Sequence, residues 1–225
     1  MKAEFWHSKW ERGEIGFHEG KPNQLLTKWF STLNLIQGQR VFLPLCGKTH
    51  DVHWLLDGGY QVVGIELSQL AVDELFENLS VEPTISEESN LLHYKSERID
   101  IFVGDIFNLT AKLLGAVDAV YDRAALVALP AETRSEYVAH LKEITKMAQQ
   151  LVIAFDYDQE KLQGPPFAVV ESELQSLYSR DSSADSYRLE VLEKLPVEGK
   201  LKGVVDALEI AWHLSPKICY STQLK

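Results

Sequence analysis

Cysteine is scarce in this chain: Cys46 and Cys219 are the two thiols among 225 residues. Two thiols build neither a disulfide framework nor a four-ligand zinc site. No apolar run approaches the ~20 residues that span a bilayer. The N-terminal stretch MKAEFWHSKWER lacks the apolar centre of a secretion signal. These absences lead us to expect a cytoplasmic protein with no membrane partner. Basic residues are also in deficit, with 22 Lys and Arg against 33 Asp and Glu and a formal charge of −11. Phosphate backbones are bound by clustered Lys and Arg, so thinly spread cations argue against a nucleic-acid partner. What is left is a small-molecule ligand. The length suits a single domain over residues 1–225, expected as a monomer.

Apolar patterning then supplies the architecture. Residues 1–38 are aromatic-rich, with Trp6 and Trp10 four apart and Leu25, Leu26, Trp29 and Phe30 on one helical face. Strand and helix patterns alternate from there: strand 40–45, helix 49–58, strand 61–66 and helix 69–78. Gly58-Gly59 stops the first of these helices. Residues 80–97 are polar and read as an insertion before a strand over 99–103. A strand over 117–121, a helix over 131–149 and a strand over 151–155 follow. Gly164-Pro-Pro-Phe167 breaks the chain before a helix over 170–178. Two last strands, 188–195 and 208–213, suggest an antiparallel hairpin at the sheet edge. Residues 217–225 have no pattern and suit a tail. The expected fold is α/β, a doubly wound, mostly parallel sheet.

The densest information lies in Val41-Phe-Leu-Pro-Leu-Cys-Gly-Lys-Thr-His-Asp51 and Val62-Val-Gly-Ile-Glu66. A buried strand, a glycine turn, a helix start and a second buried strand ending in a carboxylate build a nucleoside-binding sheet edge. Gly47-Lys48-Thr49 ends like a phosphate loop, but that loop needs glycine where Phe42 stands, and Pro44 removes an amide. The dinucleotide fingerprint lacks two of its three glycines. One glycine still lets a phosphate-free ligand approach the backbone, which suits S-adenosylmethionine. Glu66 would then hold the ribose hydroxyls. Asp105 would accept a hydrogen bond from the adenine amino group while Ile106 covers the ring; a turn-capping role competes for Asp105. Arg123, after an apolar strand, would clasp the methionine carboxylate. Trp10 offers an aromatic face to a sulfonium cation. His50 and His53 are three apart but lack a third metal ligand, so they read as a solvated helix face, and no metal is expected.

Together, Phe5-Trp-x-x-x-Trp10, Gly16-Phe-His18, Phe42-Leu-Pro-Leu-Cys-Gly-Lys48, Val63-Gly-Ile-Glu66, Asp122-Arg-x-Ala-Leu126 and Gly164-Pro-Pro-Phe167 resemble the thiopurine S-methyltransferase family in its bacterial form. The matches run in order from residue 5 to about 167. The resemblance implies a class I, Rossmann-like methyltransferase fold with a seven-stranded sheet and an antiparallel C-terminal edge hairpin. It implies methyl transfer from S-adenosylmethionine to sulfur of aromatic or heterocyclic thiols. Cofactor contacts carry over to Trp10, Leu45, Glu66 and Arg123, beside Gly47, Asp105 and Ile106 of the residue reading. Phe17 and His18 would lie near the acceptor, with residues 1–38 as a lid. No catalytic side chain is expected, because thiols of this class ionise without a protein base. Tyr121 departs from the tryptophan expected of much of the family. The alternative reading is a related methyltransferase acting on selenium or tellurium, on a halide or on another thiol.

Overall fold

The computed structural model describes residues 3–16, 18–179 and 186–217. Two expectations fall outside that range: Phe17, and all but the first residue of the C-terminal tail. Short helices α1 (Ala3–Glu11) and α2 (Gln24–Trp29) precede the sheet, the second started by Asn23, whose side chain accepts from the Leu25 and Leu26 amides. The central strands are β1 (Arg40–Pro44), β2 (Gln61–Glu66), β5 (Ile99–Val103), β6 (Ala119–Arg123) and β7 (Gln149–Tyr157). They pair in parallel in the order β5-β2-β1-β6-β7. The chain leaves β1 toward β2 and later returns to β6 on the opposite side. That reversal opens a crevice at the strands' carboxyl ends, where ligands of such sheets bind.

Helices α3 (His50–Asp57), α4 (Gln69–Leu79) and α6 (Ala131–Thr145) lie between these strands in the chain, with a single turn, α5 (Ala111–Leu114), before β6, and α7 (Glu171–Tyr178) follows β7. Side chains alternate across each strand, so the sheet feeds two cores. Phe42, Val63, Val120 and Val152 pack against Tyr137 and Leu141 of α6 and Tyr178 of α7. Val41, Leu43, Val62 and Ile153 pack on the other face against Leu25, Val52, Leu55 and Val72. Burial on both faces explains why these strands read as continuous apolar runs rather than alternating ones.

Among the described residues the sheet has nine strands rather than seven, in the order β3-β4-β5-β2-β1-β6-β7-β9-β8. The two additional strands, β3 (Thr84–Glu88) and β4 (Leu91–Lys95), come from the polar stretch that read as an insertion, to which no strand was assigned. Leu91 and Tyr94 of β4 are buried, whereas every residue of β3 is exposed, which is why the stretch looked polar. At the other edge, β8 (Tyr187–Pro196) and β9 (Ala207–Pro216) form the expected antiparallel hairpin, with β9 against β7.

Candidate active site

The site begins where β1 ends. Pro44 hands over to Leu45 at φ 47° and Gly47 at φ 53°, two left-handed residues that turn the chain away from the sheet. A Cβ at Gly47 would stand 3.1 Å from the Trp10 indole, so glycine here serves both the turn and the close approach of α1. Glu66 closes the neighbouring strand and is 6% exposed. One of its oxygens accepts from the Gly47 amide at 2.8 Å and the other from the Ser68 amide at 2.9 Å. Burial pushes its carboxyl upward, and those amides pull it back. Each carboxylate oxygen keeps capacity for a second donor. Cys46 lies beside Glu66; a Cβ on Gly64 would meet its Sγ at 2.9 Å, and burial, then the Glu66 charge, drive its thiol pKa well up.

These residues border a cavity of about 1180 Å³ at the carboxyl ends of the parallel strands. Single small-molecule sites occupy ~300–1,000 Å³, so the space suits a cofactor together with a second molecule. Every sequence-expected site residue within the described range lines it: Trp10, His18, Leu45, Gly47, Glu66, Asp105, Ile106 and Arg123. Trp10 is the one buried residue of α1, and Lys48 Nζ lies 5.9 Å from its ring centre. Asp105 caps a short turn by accepting from the Phe107 amide at 3.0 Å, so the capping role and the cavity position coexist. Its neighbour Ile106 is buried beneath it.

Arg123 sits at the end of β6 and pairs with Glu19, which reaches in from the N-terminal segment. Burial opposes the guanidinium charge, but Glu19, Tyr121, Asp51 and Glu209 outweigh it, so the pKa rises. His18 stacks on His50 with ring centres 5.4 Å apart. Burial, then the Lys48 charge, lowers its pKa and favours the neutral ring.

Three site groups escaped the sequence reading. Asp51, between the two histidines expected on a solvated helix face, is 1% exposed. It accepts from the Asn23 amide at 2.7 Å and from the Tyr121 hydroxyl at 3.0 Å, tying the N-terminal segment to α3 and β6. The solvated-face expectation holds for His53, whereas His50 is half-buried and stacked on His18. Glu19 follows the Gly-Phe-His string directly, and its position there was the available signal. Glu209 interrupts the apolar run Leu208 to Trp212 of β9, a second signal left unused.

The strand order, the glycine turn after the first strand and the carboxylate closing the second define the class I methyltransferase fold. Solved structures share it. A Burkholderia thailandensis 1,6-didemethyltoxoflavin-N1-methyltransferase, determined with S-adenosylhomocysteine, matches at TM-score 0.63 and 14% identity over 95% of this chain and 87% of that one. A Synechocystis magnesium protoporphyrin IX methyltransferase matches at TM-score 0.58 and 14% identity over 93% and 96%. Sequence comparison goes further: the thiopurine S-methyltransferase family model matches residues 1–215, and the chain belongs to that family. The thiopurine S-methyltransferase of Teredinibacter turnerae is 49% identical over 97% of this chain and 99% of its own length. That of Xanthobacter autotrophicus is 47% identical over 95% and 99%. The family match thus runs through the β8–β9 hairpin, beyond the last motif legible by eye.

Proposed function

We propose that this enzyme transfers the methyl group of S-adenosylmethionine to the sulfur of aromatic or heterocyclic thiols. The observation that carries the reading is Glu66, a buried carboxylate fixed by two backbone amides at the floor of the cavity, one strand from the glycine turn. It would bind the ribose hydroxyls, with Asp105 and Ile106 at the adenine and Trp10 over the sulfonium. Leu45, in its left-handed turn, would present backbone to the amino-acid moiety. Arg123 would hold that moiety's carboxylate in place of Glu19. Bound in this way, S-adenosylmethionine supplies an electrophilic methyl carbon with a neutral thioether as leaving group.

The chain's own contribution is positioning and dryness. Acceptor thiols of this class are acidic enough to enter as thiolates, so no side chain is assigned as a base. His18, stacked on His50 with its neutral ring favoured, would border the acceptor space. Residues 1–38 would form a lid within the single domain, since Trp10, His18 and Glu19 all face the cavity from this segment. Excluding water there favours alignment of sulfur, methyl and leaving group. The reading includes a cytoplasmic monomer without a nucleic-acid partner, and the charge of −11 supports the last of these.

Calorimetry against S-adenosylmethionine, S-adenosylhomocysteine and ATP, followed by a 6-mercaptopurine methylation assay, tests the reading. We expect both adenosyl ligands to bind, ATP not to bind, and the purine sulfur to be methylated. Binding of ATP alone would refute it, and adenosyl binding without transfer to any thiol would make the protein a sensor.

A further inference from the structure

Beyond Arg123 the cavity continues under the edge hairpin, walled by Phe155, Pro165, Leu195, Val197 and Leu201. This half is apolar, and its ionisable groups are mostly occupied. Glu19 is paired with Arg123, Lys202 donates to the Pro165 carbonyl at 2.6 Å, and Glu198 is exposed to solvent. Glu209 differs. It lies on β9 directly across from Phe155, half-buried, in a strand whose neighbouring residues are apolar. Burial disfavours its charge, and Arg123 offsets this in part. Its one recorded hydrogen bond among the described residues, from Asn23 Nδ2, is long at 3.4 Å. A carboxylate has about four acceptor positions, and polar groups taken from water are normally satisfied. Here a half-buried carboxylate lines the second-molecule space with most of that capacity open.

We propose that Glu209 reads the methyl acceptor, accepting a hydrogen bond from a ring N–H or amino group and rejecting acceptors that carry a carboxylate. The inference deepens the proposed function and rests on it for the location of the acceptor. It narrows the substrate class to heterocyclic thiols that present a donor on the side away from sulfur. A carboxylated aromatic thiol would set a second anion against Glu209 in a low-dielectric wall, which costs far more than the same pair costs in water.

The test titrates the enzyme, saturated with S-adenosylhomocysteine, with two thiols: 6-mercaptopurine, which has ring N–H groups, and 4-mercaptobenzoate, which has a carboxylate. Wild type should favour the purine. In Glu209→Ala the purine should bind roughly tenfold more weakly and the benzoate more tightly, while affinity for S-adenosylhomocysteine stays within about twofold. Glu209→Gln, which keeps the shape and an acceptor oxygen without the charge, should fall between. The ratio of the two thiol affinities within one variant is insensitive to the fraction of protein folded. Equal binding of both thiols by wild type, parallel changes for both in the variants, or a loss confined to S-adenosylhomocysteine would each overturn the assignment. Binding is read without turnover, so wild type that discriminates as expected but methylates neither thiol defeats the proposed function and leaves the role of Glu209 standing.

Discussion

Glu66 binds the Gly47 and Ser68 amides as well as facing the cavity, so its removal acts on the fold and the ligand together. Glu66→Ala should weaken S-adenosylmethionine binding by about 1–3 kcal/mol through lost hydroxyl contacts. Calorimetry beside a thermal melt separates the two effects; unchanged affinity in a folded variant would remove Glu66 from the site. Asp122, fully buried and accepting from the Leu126 amide and the Tyr137 hydroxyl, makes a different prediction. Burial pushes its carboxyl up to about 6 from an ordinary 3.8. The folded state therefore holds this proton more tightly than the unfolded chain, so the group favours the fold below about pH 4 and that contribution is lost as pH rises toward 6. Asp122→Asn should gain on wild type across that window by on the order of 1–3 kcal/mol. Urea melts from pH 4 to 7 check it, and a flat difference between the two proteins would contradict it. Glu66 was legible because a carboxylate after four apolar residues is conspicuous. Asp51 was not, since its burial comes from Asn23 and Tyr121, 28 and 70 residues away in the chain.

Among the elements, α1 is the most separable, with Trp10 its sole buried residue and that residue packed over Gly47. Deleting residues 1–20 should reduce cofactor affinity at least tenfold while moving the melting temperature by less than about 5 °C. Parallel loss of the folded state would instead make the segment part of the scaffold. Sequence patterns located the helices and parallel strands well, because each strand has a face in both cores. They missed β3 because it is exposed throughout and carries no apolar signature, and β4 went with it. The end of α6 was set too late for a local reason: Lys146 adopts φ 52° and turns the backbone, so β7 starts at Gln149.

At the scale of the whole molecule, two sheet edges face solvent, β3 on one side and β8 on the other. Unpaired edges invite association, and charged residues blunt them. Glu87 and Glu88 on β3, and Glu190, Glu193 and Lys194 on β8, occupy these positions in a chain that already carries −11. Replacing Glu87 and Glu88 by Val and Thr should turn the proposed monomer into a concentration-dependent mixture in sedimentation velocity. A boundary that does not shift with concentration would mean that edge charge is not what keeps copies apart.

The burial of Cys46 has a chemical consequence for the enzyme's durability. An enzyme that methylates thiols keeps one of its own beside the turn proposed to bind the methyl donor, where an ionised sulfur would compete with the substrate for alkylation. Desolvation and the adjacent Glu66 charge hold Cys46 as an un-ionised thiol, walled in by the strand residue Gly64. Nucleophilicity resides in the thiolate, so lowered acidity and burial together set Cys46 apart from an acidic substrate thiol.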